Sequence, residues 1–187
     1  MTPVGILLAA GRGSRFDPTG ERNKLLATTP SGDAVAVASA RTLCSVLPHV
    51  IASVSDAAVG AALQAAGCDV THCDDAGEGM AASLVHALRQ SPPGTPAWLI
   101  ALGDMPFVQP STLRALAAAL AAGADIAVPV CGGQRGNPVG FSARHLPALL
   151  ALEGDQGARA IVRSHPAVDV PVDDPGIFRD IDTSADL

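Results

Sequence analysis

The sequence predicts an α/β domain whose mostly parallel sheet is covered by helices on both faces. Three observations lead there. The apolar runs Val4–Ala10, Val50–Val54 and Ala97–Leu102 are short and apolar almost throughout, as strands buried on both faces are. Segments with helical spacing and helical end signals lie between such runs. The chain has 187 residues, which suits one domain, long enough to bury a real core, and leaves little room for a second domain.

The elements follow in order. Val4–Ala10 is the first strand and runs into a Gly-rich turn. Asp33–Val46 fits a helix, with Asp33 as a candidate N-cap. Val50–Val54 is a strand, and Ala57–Ala66 is an Ala-rich helix closed by Gly67. A short strand, Asp69–His72, precedes a helix at Met80–Arg89. Ala97–Leu102 is a fully apolar strand ending at Gly103-Asp104. Pro110–Ala122 is a helix with Pro at its start and Gly123 past its end. Ile126–Val130 and Asn137–Ser142 read as strands around a turn at Gly132-Gly133. A helix at Gln156–Ser164, a strand at Val168–Val172 and a tail at Arg179–Leu187 complete the chain.

Composition excludes several functions. Hydrophobic residues make up 48%, which rules against disorder. Aromatic residues make up 3%, with no Tyr and a single Trp, so stacking platforms for nucleic acid have little to build on. The net charge of −6 and the lack of a long basic run argue against nucleic acid and anionic membrane as partners. No apolar run reaches the length of a membrane span, so the expected setting is the cytoplasm. The four cysteines show no paired spacing and read as reduced, structural thiols.

In open α/β sheets the ligand lies beyond the carboxyl ends of the strands. That rule selects the segments to inspect. Leu8-Ala9-Ala10-Gly11-Arg12-Gly13-Ser14-Arg15 leaves the first strand with small residues, two glycines and two arginines. Its backbone can approach a ligand closely, its N–H groups can form an anion nest, and its guanidinium groups suit phosphate. A dinucleotide fingerprint would need a third glycine where Phe16 stands, and no Walker A pattern is present. Asp104 stands at the end of a central strand, where a carboxylate can hold Mg²⁺ with phosphate oxygens and water. Arg135–Phe141 is a constrained loop, and a helix beginning near Gln156 in Gly154–Arg159 would offer free N–H groups to an anion. Asp180 and Asp182 alternate in an extended stretch and so point the same way; either could complete a metal site with Asp104. Ser83 reads as a binding hydroxyl rather than a nucleophile, and no nucleophile–base set is recognisable.

Six stretches in order resemble the MobA-like nucleotidyltransferase superfamily, and within it the molybdenum cofactor cytidylyltransferase branch. They are LAAGRGSRF with NKLL (8–16 and 23–26), GMAASL (79–84), GDMPF (103–107), RGNPVGF (135–141), GDQGAR (154–159) and DIDTSADL (180–187). The resemblance implies one Rossmann-like α/β/α domain over residues 1–187. It implies transfer of CMP from CTP to the phosphate of molybdopterin, with Mg²⁺ and release of pyrophosphate. Leu8, Ala9, Ala10, Gly11, Arg12, Gly13, Lys24, Ser83 and Asp104 would bind the nucleotide. Lys24, Arg15 and Asp104 would be catalytic, and Asp104 with Asp182 would hold the metal. Arg135, Asn137, Pro138, Asp155, Gly157 and Arg159 would face the acceptor. The related guanylyltransferases usually open with LAGG; Ala10 adds a methyl that would crowd a purine, which favours CTP. The chain departs from the family's usual pattern at Asn137, often His, and at Ser184, commonly Pro. The alternatives are a guanylyltransferase, a nucleotidyltransferase acting on a sugar phosphate or another metabolite, a nicotinamide-dependent oxidoreductase, and a non-catalytic module delivering a cofactor to a molybdoenzyme.

Overall fold

The computed structural model describes residues 2–11, 16–17, 22–155 and 157–187. The strands are β1 (Val4–Ala9), β2 (Val50–Val54), β3 (Asp69–His72), β4 (Ala97–Leu102), β5 (Ile126–Cys131), β6 (Gln134–Arg135), β7 (Val139–Ser142) and β8 (Val168–Pro171). The helices are α1 (Val35–Cys44), α2 (Ala57–Ala65), α3 (Met80–Arg89), α4 (Pro110–Ala121), α5 (Leu146–Leu150) and α6 (Arg159–Ser164). The sheet runs β3-β2-β1-β4-β7-β5-β6, with β8 paired to β5. β3, β2, β1 and β4 are mutually parallel, β8 is parallel to β5, and β7 enters antiparallel between β4 and β5.

The uniformly apolar strands fill two cores. Leu7, Ala52 and Leu99 face one side and pack with Leu43, Leu63, Leu113 and Leu116 from α1, α2 and α4. Their neighbours Ile6, Ile51, Trp98 and Ile100 face the other and pack with Leu84, Leu88, Leu149 and Ile161 from α3, α5 and α6. Alternation along β1, β2 and β4 thus feeds both faces, and nearly every position in them is apolar, fully buried Ser53 of β2 being an exception.

Several expected boundaries move. Asp33 does not cap α1; the helix starts at Val35, and the Asp33 carboxylate pairs with Arg41. The helix expected from Gln156 begins at Arg159 and is six residues long, because Gly157 takes a positive φ of 51° and the chain is still turning there. It therefore offers no extended N-terminus for an anion. Gln156 lies outside the described residues. β7 begins at Val139, two residues later than expected.

β1, β2 and β3 step outward in one direction, and β4 returns to the other side of β1. The order reverses between β1 and β4, which opens a crevice at their carboxyl ends. Leu8 pairs with Leu102 there, so Ala10-Gly11 and Gly103-Asp104 emerge side by side. Gly103 permits that closeness. A Cβ on it would lie 3.0 Å from both the Ala9 Cβ and the Leu8 carbonyl oxygen.

Candidate active site

Three side chains from distant parts of the chain meet at this crevice. The Lys24 ammonium donates to Asp104 Oδ2 at 2.7 Å and lies 3.5 Å from Asp182 Oδ1. The lysine side chain is only 9% exposed, so a buried cation bridges two carboxylates. The second oxygen, Asp104 Oδ1, is buried and has no hydrogen-bond partner among the described residues. Burying an unmatched carboxylate oxygen is costly, and such an atom points to a ligand that supplies the missing partner.

Local structure explains each placement. Lys24 opens a single 3₁₀ turn, Lys24–Leu26, capped by Asn23, whose Oδ1 accepts from the Leu25 N–H at 3.0 Å. The Asn23 amide in turn donates to Asp56 at 3.3 Å. Asp56 caps α2 by accepting from the N–H groups of Ala58 and Val59, and these bonds, the one from Val59 foremost, hold its carboxyl below the usual carboxylate range. The preceding Ser55 hydroxyl donates to the Ala10 carbonyl at 3.1 Å. The turn after β2 therefore supports both the glycine turn and the lysine. Sequence reading missed Asn23, Ser55 and Asp56 as supports; the Asp-x-x start of an Ala-rich helix was the signal available for Asp56. Asp182 is brought in by a buried neighbour: Ile181 is fully buried, and its N–H donates to the Asp104 carbonyl at 2.8 Å.

Two adjoining cavities share this centre. The first, about 350 Å³, is lined by Leu8, Ala10, Gly11, Lys24, Ser83 and Asp104, together with Ala76, Gly77, Gly79, Met80 and Asp155. The second, about 460 Å³, takes in Lys24, Asp104, Asn137, Asp155, Gly157, Arg159, Asp180 and Asp182. Leu8, Met80 and Leu102 belong to both walls. The size and shared polar centre suit two small molecules meeting at one point.

Some of the expected residues stand elsewhere. Ala9 is 2% exposed and packs into the core, because successive residues of β1 alternate faces. Arg135 lies on β6, where its guanidinium is engaged by Asp169 of β8 at 2.6 Å, and it lines neither cavity. Pro138 faces a small void against α1 that Asn137 also borders. Arg12, Gly13 and Arg15 lie outside the described residues.

The donor set suits a hard divalent cation. Asp104 and Asp182 offer carboxylate oxygens, one of them unmatched among the described residues. No group of three or more His, Cys, Asp or Glu side chains that could hold a metal occurs among the described residues. Two carboxylates fit an ion that completes its shell with phosphate oxygens and water, as Mg²⁺ does, and do not fit a structural zinc site. No described helix is long and apolar enough to cross a membrane.

Comparison with known proteins bears on the family and the fold. No curated protein matches the sequence. Rv0371c from Mycobacterium tuberculosis H37Rv superposes with a TM-score of 0.81 at 29% identity, over 100% of this chain and 96% of that one. A structure of Rv0371c in complex with manganese gives 0.79 at 29% identity, over the same shares of the two chains. A nucleotidyl transferase from Methanothermobacter shares the fold, with a TM-score of 0.80 at 23% identity over 99% of this chain and 94% of that one. The MobA-like NTP transferase domain model matches residues 5–170, most of the chain and every element from β1 to the middle of β8. The chain thus belongs to the MobA-like NTP transferase family and is a nucleotidyltransferase with a Rossmann-like α/β fold.

Proposed function

We propose that this enzyme transfers CMP from CTP to the phosphate of a molybdopterin-type acceptor and releases pyrophosphate, with Mg²⁺ as cofactor. The observation that carries the reading is the convergence of Lys24, Asp104 and Asp182 between two adjoining cavities. The first cavity takes the nucleotide, with Gly11 and Ser83 on its wall. The second takes the acceptor, with Arg159 available to its phosphate. Asp155 and Asp180 on that wall are carboxylates, which accept hydrogen bonds from the N–H groups of a pterin edge.

An acceptor phosphate oxygen attacks the α-phosphorus of CTP; the new P–O bond forms as the bond to the β-phosphate breaks. No covalent enzyme intermediate is needed, so the protein's work is alignment and charge neutralisation. Lys24, with Arg15, offsets charge that develops on the departing pyrophosphate. Asp104 and Asp182 would hold the Mg²⁺, which supplies Lewis-acid stabilisation of phosphate oxygens.

Thermal stabilisation by CTP, GTP, ATP, UTP and NADH, each with and without Mg²⁺, tests the reading. Ligand at 100 times its Kd should add about 2.7 kcal/mol of apparent stability. A Mg²⁺-dependent shift greatest with CTP is expected. A greater shift with GTP would keep the reaction class and overturn the base; a response to NADH alone would overturn the class. Ala10, 7% exposed on the nucleotide wall, is the residue expected to set the base. Ala10→Gly should shift preference from CTP toward GTP, and an unchanged ratio would count against crowding by its methyl group.

A further inference from the structure

The segment that delivers Asp182 is fastened upstream by one buried carboxylate. Asp174 is 1% exposed, and its side chain accepts three hydrogen bonds. Oδ2 accepts from the Gln109 N–H at 2.8 Å and from the Thr112 hydroxyl at 2.6 Å; Oδ1 accepts from the Gly176 N–H at 2.9 Å. Gln109 and Thr112 belong to the start of α4, where the Asp104 loop ends. Gly176 belongs to the strap that leads on to Asp182. One carboxylate therefore joins the exit of the Asp104 loop to the entry of the strap.

The strap lies tightly against that loop. A Cβ on Gly176 would fall 2.1 Å from the Phe107 carbonyl oxygen, and one on Gly136 would fall 2.5 Å from the Ile177 carbonyl oxygen. The Ile177 carbonyl accepts from the Asn137 N–H at 3.0 Å. The Arg179 guanidinium covers the Phe107 ring at 3.9 Å from its centroid. Next come the Ile181 bond to the Asp104 backbone and then Asp182 itself. Asp174 lines neither cavity, so it acts on the site only through this run of contacts.

We propose that Asp174 is a positioning residue: by clasping the strap to the start of α4 it sets where Asp182 stands beside Asp104 and Lys24, and thereby sets the affinity of the carboxylate pair for a divalent cation. The proposal rests on the reading that Asp104 and Asp182 hold such a cation. A carboxylate suits the clasp because it only accepts, and all three neighbouring groups donate; an amide would turn its NH₂ toward donors.

The test uses the full-length protein with Mn²⁺ as probe, free Mn²⁺ being read from its solution EPR signal. Wild-type protein should bind Mn²⁺ saturably and Asp104→Asn should not. Asp174→Asn should weaken Mn²⁺ binding by about tenfold, the scale of a lost outer contact to a metal ligand. Metal-free CTP affinity, read by calorimetry, should stay within about twofold, because Gly11, Ser83 and Met80 contribute to that cavity from other elements. Gly176→Ala, which displaces the strap without altering charge, should show the same split. Thr112→Val removes one donor and should give a smaller loss of the same kind. Equal losses of Mn²⁺ and CTP binding in these variants would mark a general packing defect and overturn the positioning role. So would wild-type Mn²⁺ affinity in Asp174→Asn when Asp182→Asn is weakened. Absence of saturable Mn²⁺ binding by wild-type protein would overturn the carboxylate-pair reading, and the positioning role with it.

Discussion

Asp104 and Asp174 flank the same loop and treat their oxygens in opposite ways. At the start of α4, Asp174 is fully enclosed and surrounded by three donors. At the end of β4, Asp104 gives one oxygen to Lys24 and keeps the other buried with no partner among the described residues. A saturated carboxylate has nothing left to offer a ligand and stabilises the fold. An unmatched one costs stability and keeps an acceptor ready. Proximity and residue type do not separate an aspartate that holds the frame of the site from one that can take a ligand; the state of the second oxygen does.

The largest expected effect breaks the two apart by readout. Asp104→Ala should lower turnover at least ~10²-fold, the scale of a lost electrostatic group, in a pyrophosphate-release assay. Its loss of stability should be the smaller of the two, since Lys24 retains Asp182 at 3.5 Å. Asp174→Ala should instead lower unfolding free energy by about 2–4 kcal/mol in urea titrations, because buried donors are left without an acceptor. Near wild-type turnover in folded Asp104→Ala protein, or an unchanged urea midpoint for Asp174→Ala, would remove the distinction.

Lys24 sharpens the comparison from the cation side. Its ammonium sits against the same carboxylates that the proposed cation would use. Lys24→Met should lower nucleotide affinity about tenfold, equivalent to about 1.4 kcal/mol. It should also destabilise the apo protein by about 1–2 kcal/mol. Loss of one partner from a fully buried pair costs more, but Asp104 and Asp182 are 21% and 31% exposed and water screens them. Mn²⁺ added alone should then restore the melting temperature of Lys24→Met more than it raises that of wild type, because the competing ammonium is gone. Equal shifts in the two proteins would show that lysine and metal do not share the carboxylates.

Much of this centre was legible in the residues. The apolar run ending at Gly103-Asp104, the glycine turn after β1 and the alternation of Asp180 and Asp182 all pointed to one edge of one sheet. That alternation holds in space: Ile181 is buried while both aspartates border the second cavity. The lysine's place came from resemblance, since nothing local distinguishes Lys24 from a surface lysine. Arg135 misled for the same reason, because a basic residue in a Gly-rich loop carries no sign of which way the loop faces. Asp174 was illegible as a clasp. Asp174-Pro175-Gly176 reads as a turn with a capping aspartate, and it is that, but its two further donors lie 62 and 65 positions away. Burial arising from such distant docking has no local pattern to announce it.

The smallest expected effect concerns a third way of burying an ionisable group. His145 follows β7 and stands near the amino end of β4, where the Ala143 N–H donates to the Pro96 carbonyl, at the opposite end of that strand from Asp104. It is 6% exposed, with the His165 ring 4.9 Å away edge-on. Burial lowers its pKa below the ordinary histidine value, and His165 and Arg144 push in the same direction against the opposing pull of Asp125. The unfolded chain therefore takes up this proton first as the solution acidifies. The stability contributed by neutral His145 is whole above about pH 6.5 and falls as pH drops through that value toward the lower folded one. His145→Phe keeps an apolar ring beside Phe141 and cannot titrate. Its melting temperature should decline less than that of wild type between pH 7.5 and 5.5. Parallel declines would place the acid sensitivity elsewhere. A flattened one would show that this end of the sheet keeps its buried group neutral.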